Sequence, residues 1–202
     1  MPCILSKDEI EKTIAFHGRS CPGLAIGIRV AELALKVVGG KETDLVCVVE
    51  TDMCGVDAIQ FLTGCTYGKG NLIHKDYGKM AFSFYDRKSG KGFRALLRPV
   101  ADAGIGSELR PLMRKVTDAT ATDDERLKCS ALREQVEKRY MNADLEELFE
   151  VAELKHPAPR RARILESLPC EACGEMAMES RTRRFDGKTL CLPCFEKIEQ
   201  KL

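Results

Sequence analysis

Leu45-Val46-Cys47-Val48-Val49-Glu50-Thr51-Asp52-Met53-Cys54-Gly55 is the stretch on which the fold turns. Its first five residues are apolar on both faces and too few for a helix, so they predict a central strand. The polar segment after them leads into a short helical pattern through Val56, Ile59, Phe61 and Leu62, closed by Gly64. Cys54 therefore stands after a buried strand and before a helix, a position where ligands gather in α/β units.

Upstream, apolar residues at helical spacing run through Ile10, Ile14 and Ala15, and again through Leu24, Ile28, Ala31, Leu35 and Val38. Gly39-Gly40 supplies the stop for the second helix. Between the two patterns, His17-Gly18-Arg19-Ser20-Cys21-Pro22-Gly23 makes a sharp break. Pro22 suits a first helical position, which puts Cys21 at the cap. Downstream comes a glycine-rich loop, Cys65-Thr66-Tyr67-Gly68-Lys69-Gly70-Asn71. Lys69 and Asn71 are its candidate substrate-binding residues, although the GxxxxGK[ST] phosphate-loop spacing is absent. Strands over 79–86 and 93–98 are joined by Lys88-Ser89-Gly90-Lys91-Gly92 as a hairpin. A charge-laced helix over 123–140 is capped by Thr122, and 144–149 holds a further turn of helix before an extended piece. Lys155-His156-Pro157-Ala158-Pro159-Arg160-Arg161 carries two prolines and no acid, which marks a stiff linker.

With 202 residues, 44% hydrophobic and 31% charged, the composition is that of a globular protein with its own core. Lys plus Arg number 32 against 31 Asp plus Glu, so no bulk field attracts nucleic acid or acidic lipid. The absence of Trp weakens any reading built on stacked bases. No apolar run is long enough for a signal peptide or a bilayer span, so a cytoplasmic protein without a membrane partner is expected. The ten cysteines then belong to a reducing compartment, where metal or redox chemistry explains them better than bridges.

Four of them make the most specific motif. Cys170-Glu171-Ala172-Cys173 and Cys191-Leu192-Pro193-Cys194 are two CxxC knuckles separated by seventeen residues. Two residues between thiols let both reach one ion, and an Asp186-Gly187 hairpin turn brings the second pair round. Four sulfurs close the coordination of a structural zinc, which substitutes for a core that so short a segment cannot build. Arg181, Arg183 and Arg184 lie among Glu171, Glu175, Glu179 and Asp186, a mixture that reads as a solvated hairpin.

A second constellation joins His17, Cys21, Cys54 and Cys65. A thiol at a helix start is stabilised as thiolate by free N–H groups, making Cys21 the candidate nucleophile as well as a ligand. His17 with Cys21 and Cys54 offers one nitrogen and two sulfurs to zinc or a similar transition metal, with a fourth position open. A straight helix between Cys54 and Cys65 separates them by about 13 Å, so Cys65 is either separate or serves a site in a second copy of the chain. Cys47 reads as a small buried residue, Cys3 and Cys129 have no companions, and His74 in a strand has no partner. No carboxylate stands at a spacing from a histidine that identifies a base.

Phe16-His17-Gly18-Arg19-Ser20-Cys21-Pro22-Gly23-Leu24-Ala25-Ile26-Gly27, Cys54-Gly55-Val56-Asp57-Ala58-Ile59-Gln60 and Leu62-Thr63-Gly64-Cys65-Thr66-Tyr67-Gly68-Lys69-Gly70-Asn71-Leu72, with Lys75-Asp76-Tyr77-Gly78-Lys79, resemble the FmdE family of formylmethanofuran dehydrogenase proteins. The tail resembles the DksA/TraR type of zinc ribbon. The resemblance implies an α+β core, a homodimer, and a metal-binding cleft lined by the His17/Cys21 and Cys54 blocks. It further implies association with a molybdenum- or tungsten-dependent formylmethanofuran dehydrogenase complex of one-carbon metabolism. Arg19 stands where many members carry a second histidine, which leaves one ligand fewer.

The expected architecture is α+β: a mixed sheet packed with helices over 1–155, a linker over 156–168 and a four-cysteine zinc ribbon over 169–202. The expected function is metal binding in an accessory or metal-handling role. The alternatives are a metal- or thiol-dependent enzyme acting on a small substrate, and a zinc-ribbon binder of nucleic acid or transcription machinery.

Overall fold

The computed structural model describes residues 2–39 and 44–198, which divide into two compact units, Met1–Arg161 and Ala162–Leu202. In the first unit, helix α1 (Lys7–His17) starts in a capping box between Ser6 and Glu9 and ends at Gly18, whose φ of 90° is left-handed. Helix α2 (Pro22–Val37) has Cys21 as its cap residue, with Pro22 in the first turn. Gly39 follows it at φ 100°; Gly40 lies outside the described residues.

The strands are β1 (Leu45–Val49), β2 (Leu72–His74), β3 (Ala81–Asp86), β4 (Gly92–Leu97) and β5 (Phe149–Glu153). They form one mixed sheet in the order β2-β1-β3-β4-β5, with β1 parallel to β2 and every other pair antiparallel. Helices α3 (Gly55–Thr63), α4 (Gly106–Thr117), α5 (Asp123–Asn142) and α6 (Leu145–Leu148) complete the unit.

Alternation along the strands explains why β1 reads apolar throughout. Leu45, Cys47 and Val49 face the main core with Phe82, Phe84 and Phe93, beneath Ile26, Val30 and Ala34 of α2. Val46 and Val48 face the opposite side, where Tyr85, Ile73, Leu154 and Ala158 cover them. The stretch after β5 is thus part of this unit: Arg87 donates to the Pro159 and Arg160 carbonyls at 2.8 and 3.3 Å.

One buried cation ties the helices together. Arg29 of α2 is 1% exposed, donates to the carbonyls of Tyr140 and Met141 at 3.0 and 2.7 Å, and holds Nε 2.8 Å from Glu32 Oε2. Its charge meets the negative end of α5. Helix α4 has no counterpart in the sequence reading; Pro111 lies inside it, and its cap residue Ile105 offers no side-chain bond, the Gly106 N–H going to Asp102 instead. Among the described residues, no helix is long and apolar enough to cross a membrane.

The second unit holds two hairpins, β6 (Ser167–Pro169) with β7 (Met176–Met178) and β8 (Thr182–Phe185) with β9 (Lys188–Cys191), then a short helix α7 (Leu192–Glu196). Asp186 and Gly187 turn the second hairpin with φ of 47° and 74°, the two left-handed residues of a type I′ turn. Its small core gathers Cys170, Leu190 and Cys191 with Phe185 and Phe195, whose rings meet edge to face at 5.9 Å.

Candidate metal centre

Two helix starts meet because glycines let their backbones touch. A Cβ on Gly27 of α2 would lie 2.2 Å from the Gly55 carbonyl oxygen, and one on Gly55 of α3 would lie 2.9 Å from that of Gly23. This contact brings Cys21, before α2, to Cys54, before α3. The left-handed Gly18 ends α1 immediately after His17 and turns the chain into the extended Cys21. His17 therefore reaches the same point from a third helix.

The ligand atoms of His17, Cys21 and Cys54 lie within 4.8 Å of one another, and His17 Nε2 stands 3.9 Å from Cys21 Sγ. A tetrahedral zinc with sulfur at about 2.3 Å and nitrogen at about 2.0 Å needs separations of roughly 3.6–3.8 Å, so the set fits with small adjustments. Behind the ring, His17 Nδ1 lies 2.7 Å from Asp57 Oδ2. With Nδ1–H donating to that carboxylate, Nε2 keeps its lone pair for a metal, the usual outer support of a histidine ligand. No identifying spacing announces this pair, since 40 residues separate the two in sequence. Asp57 lies three residues after Cys54, on one face of the first turn of α3, and that spacing was the available signal.

Burial pushes the Cys21 thiol up, against the pull of the Leu24 N–H that its sulfur accepts at 3.4 Å. The expected thiolate stabilisation at the helix start is therefore reversed, because desolvation outweighs the N–H groups. Cys54 lies in the walls of two cavities. One of about 440 Å³ is lined by His17, Cys54, Thr51, Asp57, Gln60 and His74, so His74 does share a cleft with His17. The other, about 280 Å³, has Cys21 and Cys54 in its wall.

Cys65 does not join them. It is fully buried, and its thiol points to the Leu45 carbonyl at 3.6 Å. With no exposed surface, it offers no ligand to a second copy of the chain. Asn71 ties its own loop: its amide donates to the Leu45 carbonyl at 3.1 Å and accepts from Thr66 N at 2.9 Å. Neither Asn71 nor the exposed Lys69 lines the two cavities beside the cluster. Cys47 is fully buried in β1, where burial raises its thiol well above the ordinary range.

In the second unit, the thiols of Cys170, Cys173, Cys191 and Cys194 also lie within 4.8 Å of one another. The Cys173–Cys191 separation of 3.9 Å matches the edge of a zinc tetrathiolate, about 3.8 Å. The N–H groups of Cys191, Cys173 and Ala172 hold Cys170 down to about 6, whereas the neighbouring thiols push Cys194 up to about 12. Four sulfurs so crowded call for a cation.

A family model described as "FmdE, Molybdenum formylmethanofuran dehydrogenase operon" matches residues 16–150, which include His17, Cys21 and Cys54. The chain belongs to the FmdE family. A second model, the prokaryotic DksA/TraR C4-type zinc finger, matches residues 163–200. The FmdE-type chain is similar to the crystal structure of a tungsten formylmethanofuran dehydrogenase FmdE-like protein from Syntrophus aciditrophicus. That match has a TM-score of 0.61 at 29% identity and covers 94% of this chain and 91% of the other. A "Probable S-adenosyl-L-methionine-binding protein" of Archaeoglobus fulgidus is 32% identical over 188 residues, covering 89% of this chain. The match takes in 50% of that protein, so the chain spans about half its length.

Proposed function

We propose that this FmdE-type protein holds a transition metal, zinc by its donor set, at His17, Cys21 and Cys54, with one position left for an outside ligand. Its role is accessory or metal-handling, linked to molybdenum- or tungsten-dependent one-carbon metabolism and to an enzyme complex of the formylmethanofuran dehydrogenase type. The observation that carries the reading is the convergence of three ligand atoms within 4.8 Å, with Asp57 behind the histidine ring. One nitrogen and two thiolates suit a borderline-soft ion, and a three-ligand set leaves room for exchange where four would close it. When bound, the ion supplies Lewis acidity at that open position. His17, Cys21 and Cys54 fix it, and the flanking cavities admit what it binds. The names of the family and of the Syntrophus protein support the one-carbon link.

A homodimer is part of the reading. Phe16 and Phe61 meet at a tilt, ring centroids 5.6 Å apart, while 55% and 39% exposed, an apolar surface pair that a second copy would cover. Light scattering that reports the mass of one 22.5 kDa chain would remove this element.

Elemental analysis tests the metal assignment. The whole chain is expected to carry two zinc ions, one in each cysteine-containing cluster, and His17→Ala or Cys54→Ser is expected to lose one and keep the other. Unchanged metal content in both variants overturns the assignment.

A second reading draws on the name of the Archaeoglobus relative and on the 440 Å³ cleft beside His17: the FmdE-type core binds S-adenosylmethionine there. Saturable binding in equilibrium dialysis, weakened by Gln60→Ala, supports it; absence of binding discards it.

A further inference from the structure

The smaller cavity has a composition that the metal cluster does not explain. Its floor is apolar, made by Ile26, Leu109, Met113 and Val136 from α2, α4 and α5. Around that floor stand Arg19, Arg110 and Arg133, with Asp102 as the one acid in the lining. Asp102 is already engaged: it accepts from the Gly104 and Gly106 N–H groups at 3.0 and 3.1 Å and lies 3.9 Å from Arg110. The acids of α5 near Arg133 are engaged as well, Glu134 with Lys138 at 2.6 Å and Glu137 with the Ser20 hydroxyl. Among the described residues, Arg19 and Arg133 have no ion-pair partner.

Tyr140 supplies a second, independent observation. It is 7% exposed and lines the cavity, yet its hydroxyl has no hydrogen-bond partner among the described residues. The hydroxyl oxygen itself is not sealed from solvent, so it is open to a ligand in the cavity. Two uncompensated guanidinium groups and an unused phenol over an apolar floor are complementary to an anion with an apolar body.

We infer that this cavity binds a small organic carboxylate, its anionic end paired with Arg133 and Arg19 and hydrogen-bonded by Tyr140, its apolar body on the Ile26–Val136 floor. Its volume of about 280 Å³ suits a ligand of metabolite size.

Calorimetric titration of the whole zinc-loaded chain tests it, with phenylacetate as probe and benzyl alcohol as the neutral control. Phenylacetate is expected to bind saturably, and Arg133→Met to weaken it about tenfold or more, since that change removes a charge-assisted pair but keeps the apolar stem. Arg19→Met, at an exposed position where folding is not at stake, is expected to weaken it several-fold. No saturable binding, equal binding of benzyl alcohol, or unchanged affinity in both variants overturns the inference. Zinc counts on the same samples separate the two readings. Two ions without phenylacetate binding sink the cavity alone; one ion with arginine-dependent binding sinks the core metal alone.

Discussion

Asp57 Oδ2 lies 2.7 Å from His17 Nδ1, across 40 residues of chain. The contact sets which ring nitrogen is free and holds the ring in place. A carboxylate in that position is the kind of support a ligand needs.

Replacing it with an amide tests its contribution. Asp57→Asn is expected to weaken the core metal about 10–100-fold while the ribbon keeps its own ion. Competition against a chromophoric chelator measures both affinities in one titration. Equal core affinity in the variant and the parent would make the contact incidental.

The helix crossing that brings the two cysteines together has no slack. In Gly27→Ala the added Cβ meets backbone of Gly55 at 2.2 and 2.5 Å, and backbone cannot swing away as a side chain can. A destabilisation of about 3 kcal/mol is expected, the upper part of the overpacking range. Thermal melting should fall by roughly 6–12 °C for a unit of this size, with loss of core metal. A fully metallated variant of parental stability would contradict the account of how Cys21 and Cys54 are positioned.

Cys65 separates a ligand from a packed thiol. Its full burial against the Leu45 carbonyl predicts that Cys65→Ala costs about 1 kcal/mol and leaves the zinc content unchanged. Loss of an ion would return Cys65 to the metal site.

The bidentate pair between Glu50 and Arg94, at 2.6 and 2.9 Å, joins the end of β1 to β4. Arg94 holds the Glu50 carboxyl below its ordinary value. A depressed folded pKa stabilises the protein above the unfolded value of about 4.3, and that contribution fades as pH falls through the folded value. Melting of Glu50→Gln should therefore lie below the parent at pH 7, with the gap closing as pH drops below about 4. A gap that stays constant with pH would remove the charge from the explanation.

Much of this was readable in local sequence because local chemistry causes it. Ser6 and Thr122 cap α1 and α5 through the boxes their sequences spell, and Pro22 follows Cys21 into α2. The two CxxC pairs name the ribbon because a knuckle is a local structure. Helix α4 was silent, since Pro111 inside it and Ile105 in the cap position argue against a helix that tertiary packing of Leu109 nonetheless holds. His17, Cys21 and Cys54 were legible as a set, and the length of the helix after Cys54 already set Cys65 apart within one chain. The reach of Asp57 to His17 was not legible, because it depends on the packing of α1 against α3, which no periodicity records.

Zinc-edge X-ray absorption on the whole chain probes the central claim most directly. The account predicts two zinc ions per chain, averaging three sulfurs for each nitrogen or oxygen, from a tetrathiolate and a two-thiolate, one-imidazole centre with one light-atom ligand. A single zinc with a pure four-sulfur shell would contradict it.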